Sequence, residues 1–130
     1  MRKIILTLVL VLTVSMAYAS GVNTFVKSKG GNLAATTTTW TPTINGKARI
    51  DAISVKFNSA TNDNVMFVLN SELGTTYDTV LATSDSIMMN EMYWRPENTL
   101  IIERADDITI TIGGGTARTP YTATIRGDLQ

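Results

Sequence analysis

Two residue types that carry most secreted-enzyme chemistry are missing from this 130-residue chain: it has no histidine and no cysteine. Without imidazole or thiol there is no Ser–His or Cys–His nucleophile, no His/Cys zinc site and no imidazole pH switch. Carboxylates remain. Asp63, Glu91, Asp106 and Asp107 are the candidates for the acid pair of a glycosidase. No spacing singles out any two of them, so the chain reads as a non-enzyme. Asn62-Asp63-Asn64 and Asp106-Asp107 are oxygen-rich clusters of the kind from which calcium takes its ligands. Neither has EF-hand spacing, and Asn and Asp also bond turn backbone. The turn reading is favoured, with Asp63, Asp106 and Asp107 kept as calcium candidates and no other cofactor or metal expected.

Contact chemistry is better supplied. Trp40, Tyr77, Tyr93, Trp94 and Tyr121 are amphipathic rings that can stack on a sugar or a protein, or pack across strands. Met88, Met89 and Met92 crowd the segment that holds Tyr93 and Trp94. Neighbouring residues on a strand face opposite ways, so Tyr93 and Trp94 cannot both be covered by one core. Three methionines beside them exceed what one strand face buries. An interface at Met88, Met89, Met92, Tyr93 and Trp94 is the expectation, with a fully covered inner strand as the alternative.

The elements that must position these groups follow an address. Arg2 and Lys3 precede an apolar run from Ile4, and Ala17-Tyr18-Ala19 is a small-x-small cleavage signature before Ser20. Residues 1–19 read as a secretory signal peptide. An uncleaved anchor is the second reading, although the run is shorter than the ~20 residues that span a bilayer. With no cysteine to acylate, lipoprotein anchoring is excluded. Residues 20–130 then form a single domain. Removing Arg2 and Lys3 leaves nine basic against eleven acidic residues, a net charge of −2. Nothing there attracts nucleic acid, and membrane contact is limited to export or an uncleaved leader. No Asn-x-Ser/Thr sequon occurs.

The mature segment is rich in Thr, Val and Ile, with the alternation of half-buried strands. Thr36 to Ile44, Asn45-Gly46 and Lys47 to Asn58 read as a β-hairpin, with Ile53, Val55 and Phe57 on one face. Asn64 to Asn70 is apolar on both faces, as a central strand would be. Further strands are expected at Tyr77–Thr83, Ile87–Trp94 (stopped by Pro96), Leu100–Glu103, Ile108–Ile112 and Tyr121–Arg126. About eight short strands in this rhythm predict an all-β antiparallel sandwich, jelly-roll or immunoglobulin-like.

The run from Asn62 to Leu81, then Tyr93-Trp94-Arg95-Pro96 and Asp107-Ile108-Thr109-Ile110, resembles small β-sandwich proteins of phage and prophage structural gene clusters. The likeness spans Ile50 to Ile112 and implies a virion-associated or decoration-type role without enzymatic activity. Two functional expectations follow. One is an exported structural module that self-associates as a homo-oligomer or coats a particle or filament. The other is a secreted module (extracellular, cell-surface or periplasmic) that binds a glycan or surface protein through its loops.

Overall fold

A computed structural model describes residues 23–33, 36–61, 63–84, 89–113 and 119–130. The expected leader, Met88 and the side chain of Met89 lie outside the described residues. Nine strands are described: β1 (Asn23–Asn32), β2 (Thr38–Trp40), β3 (Ala48–Thr61), β4 (Val65–Asn70), β5 (Thr79–Ser84), β6 (Met89–Trp94), β7 (Leu100–Ile102), β8 (Asp107–Ile112) and β9 (Pro120–Leu129). A short 3-10 turn at Thr75–Tyr77 is the one helical element among the described residues, and no helix there is long and apolar enough to cross a membrane.

All pairings are antiparallel and fall into two sheets. One has the order β1-β9-β3-β6, with β7 on the same side of β3 as β6; the other has the order β2-β8-β4-β5. Alternation explains how they meet. Ile53, Val55 and Phe57 of β3 and Tyr121, Ala123 and Ile125 of β9 are buried on one side. Val65 and Phe67 of β4 and Ile108, Ile110 and Ile112 of β8 are buried on the other, and all join one apolar cluster. Each large aliphatic side chain so buried contributes about 1.5–3 kcal/mol. Without a disulfide, this cluster and the ladders hold the fold.

The expected hairpin does not form. β2 pairs with β8 and β3 with β9, so the two runs lie in different sheets. Pro42 is the reason β2 stops at Trp40, since it lacks the donor a ladder needs. Asn45-Gly46 still turns the chain, with Gly46 at φ 127° and its N–H donating to the Ile44 carbonyl at 3.1 Å. It turns a corner between sheets. Strand β1 has no counterpart in the expected set, because one apolar pair in NTFVKSKGGN gives no alternation to detect.

The β3–β9 register slips between Ile50 and Ala52, so Asp51 is an extra, bulged residue. Ile50 faces the core and Ile53 resumes it, leaving Asp51 and Ala52 to the outer face. Opposite Ile50 stands Gly127, where a Cβ would lie 2.0 Å from the Arg49 carbonyl oxygen. Only glycine permits that approach.

Candidate functional site

The calcium candidates are held at the two ends of β4. Asp63 precedes its first residue, while Asp107 pairs with its last, Asn70. Six strand residues, about 20 Å, separate them. Asp63 is buried, accepts from the Thr61 hydroxyl, and its own N–H donates to Thr61 Oγ1 at 3.3 Å. Asp106 accepts from the N–H of Glu103 at 3.0 Å and of Glu72 at 3.1 Å, tying the β7–β8 turn to the β4–β5 turn. The carboxylates of Asp63 and Asp106 are committed to a hydroxyl and to turn backbone. Among the described residues no group of three or more acidic side chains could hold a metal ion.

The expected interface strand, β6, forms the edge of the five-stranded sheet. Pairing of Ile53 with Trp94 and Val55 with Met92 turns Trp94 and Met92 inward, where both pack half-buried against the core. Tyr93 pairs with Ser54 on the opposite face and is 50% exposed. Of the expected cluster, then, the described side chains divide between the two faces of β6: Met92 and Trp94 inside, Tyr93 outside.

The opposite edge of the same sheet is β1, ten residues paired along their whole length to β9. Apart from Phe25, which touches the core, its side chains are exposed. Val26 is 65% exposed on the outer face, opposite Arg126, and Lys27 and Lys29 share the inner face with Phe25. Ile101 of β7 adds a third exposed apolar side chain, 44% accessible, at the β6 side of the sheet. Beside the second sheet, Leu73 and Tyr77 in the β4–β5 connection and Val80 on the edge strand β5 are exposed. Sequence reading named Tyr77 and Tyr93 but missed Val26, Leu73, Val80 and Ile101. An isolated apolar residue carries no sign of exposure until its register is known.

The outer face is also where charge collects. Arg49 Nε donates to Asp51 at 3.2 Å, and its Nη2 is paired with Asp128, itself only 4% exposed. Asp128 Oδ1 is buried without a hydrogen-bond partner among the described residues. Arg49, Asp51, Ala52, Tyr93, Arg95 and Arg126 line a cleft of about 480 Å³ on this face.

No known protein family matches the chain, and no curated protein does. Solved structures align with it at low identity and low TM-score. PirA aligns over 79% of this chain and 93% of its own at 13% identity and a TM-score of 0.40. A chain of infectious bursal disease virus, Gx strain, aligns over 83% of this chain but 32% of its own, at 13% identity and 0.39. A protein of the disulfide-linked pili that form Bacillus endospore appendages aligns over 82% and 88%, at 16% identity and 0.32. Likenesses at this level assign neither a family nor a function.

Proposed function

We propose that this chain is an exported, non-enzymatic jelly-roll sandwich that assembles edge to edge into a larger particle or filament. Counted without the short β7, the sheets read 1-8-3-6 and 2-7-4-5, the double Greek-key order of a jelly roll. In an immunoglobulin arrangement the first two strands are neighbours, whereas here β1 neighbours β9.

The observation that carries the assembly reading is the relation between the two open edges of the five-stranded sheet. The strand directions alternate β1, β9, β3, β6, and β7 runs with β6. The two edges are therefore antiparallel to each other. A second copy, translated along the sheet and turned by its twist, sets its β1 against β6 of the first in an antiparallel ladder. Repetition continues one sheet through successive copies. Such a head-to-tail contact is heterologous: it closes into a ring or grows into a filament.

Side chains favour this pairing over its two-fold alternative. In a β1–β1 contact centred on Ser28, Lys27 of one copy would oppose Lys29 of the other, and like charges directly opposite destabilise. In the β1–β6 contact Val26 and Tyr93 lie on the same outer face. Their exposed surfaces cover each other at a shift of the ladder. Lys27 and Lys29 serve as edge guards against the wrong partner.

Light scattering of the purified protein tests the reading. The wild-type mass rises with concentration, and Val26→Lys and Tyr93→Lys each return it to the monomer. Both positions are exposed, so thermal stability stays within about 0.5 kcal/mol. A wild-type protein that remains monomeric at every concentration overturns the proposal.

A further inference from the structure

The outer-face cleft beside the β3 bulge has chemistry that assembly does not explain. The bulge turns both Asp51 and Ala52 outward, so a methyl group floors the cleft where a regular strand would alternate sides. Three guanidinium groups, Arg49, Arg95 and Arg126, surround that floor. Arg49 is engaged by Asp51 and Asp128. The side chains of Arg95 and Arg126 make no hydrogen bond or ion pair among the described residues. Tyr93, half exposed, supplies an aromatic wall.

We propose that this cleft binds an acidic sugar of the hexuronic type. Two unpaired guanidinium groups on one cleft offer the planar donor forks that carboxylates take two at a time. A bare inorganic anion meets only the guanidinium groups, whereas a sugar also presents hydroxyls that donate to the Asp51 carboxylate. The Tyr93 ring matches the apolar C–H face of a pyranose. The volume, about 480 Å³, falls in the range of small-ligand pockets. Carboxylate, hydroxyls and an apolar face occur together on a uronate. The site differs from the expectation of a glycan held by loops, because it is built on the face of a sheet by a bulge.

Titration calorimetry with trigalacturonate, alongside maltotriose and inorganic phosphate, tests the assignment. Trigalacturonate saturates one site per chain, and the neutral trisaccharide and phosphate bind at least tenfold more weakly. Arg95→Gln and Arg126→Gln each lower trigalacturonate affinity at least tenfold with unchanged thermal melting, because neither side chain holds the fold. Amide shifts on titrating the wild type cluster at Tyr93, Arg95 and Arg126, a readout that needs no variant. Absence of saturable binding, equal binding of phosphate, or full affinity in both arginine variants overturns the proposal. Tyr93 also belongs to the proposed β1–β6 contact, so the titrations are run at concentrations where light scattering gives the monomer, and failure of binding is read separately from failure of assembly.

Discussion

Gly127→Ala is the sharpest single test of how the sheet is built. Its Cβ would stand 2.0 Å from the Arg49 carbonyl oxygen and 3.1 Å from Phe25 Cε1. Real Cβ atoms essentially never come within 3.0 Å of a neighbour, so β3 and β9 must separate by about 1 Å at this point. The neighbouring atom is backbone, so no rotamer change relieves the contact. Overpacking of this kind costs roughly 1–3 kcal/mol, and stretching one or two ladder hydrogen bonds adds about 1 kcal/mol each. The expected loss is about 3 kcal/mol, a large part of a typical total of ~5–15 kcal/mol. For a domain of this size that lowers Tm by on the order of 10–20 °C. Gly30→Ala is the control: its added Cβ meets nothing nearer than 3.5 Å and lies on an exposed edge strand. Urea and thermal melts of both proteins decide the matter. A Gly127→Ala protein within about 0.5 kcal/mol of wild type would refute the close approach and the bulged register that accompanies it.

Three further outcomes follow from side-chain placement. Trp94→Asp puts a charge where a half-buried ring packs against the core, and circular dichroism should show a loss of about 3 kcal/mol or outright unfolding; native-like melting would mean that Trp94 faces solvent. Arg49→Ala leaves Asp128, 4% exposed, without its one side-chain partner among the described residues, at a cost of about 2 kcal/mol once the exposure of Arg49 is allowed for. Adding Asp128→Asn should recover part of that loss in a double-mutant cycle. Asp106→Ala releases the N–H groups of Glu72 and Glu103 and should cost about 1–2 kcal/mol, with calcium leaving the melting temperature of the wild type unchanged.

What the sequence made legible was the alternation of covered strands. Ile53-Val55-Phe57, Ile108-Ile110-Ile112 and Tyr121-Ala123-Ile125 each declare a face by period two, and each faces the core. The central position expected for Asn64–Asn70 corresponds to β4, which is paired on both sides. Connectivity was not legible, because Asn45-Gly46 is good turn chemistry for a hairpin and for a corner between sheets alike. Pro42, two residues after Trp40, was the available sign that β2 could not run on into a hairpin. Strand β1 was hidden because an edge exposed on both faces has no hydrophobic period. The arginine cleft was hidden for another reason. Arg49, Arg95 and Arg126 are far apart in sequence, and only the β3 register, with its bulge, brings them to one face.

The central claim is that copies join β1 to β6 head to tail, and the cysteine-free chain makes it directly measurable. Two single-cysteine proteins, Ser28→Cys on β1 and Glu91→Cys on β6, can be mixed and treated with a short bifunctional maleimide. Head-to-tail assembly yields the mixed Ser28→Cys/Glu91→Cys dimer as the main product, and a ladder of multimers from a protein carrying both substitutions. A dominant Ser28→Cys homodimer, or no cross-linking at concentrations where the mass exceeds a monomer, would contradict it.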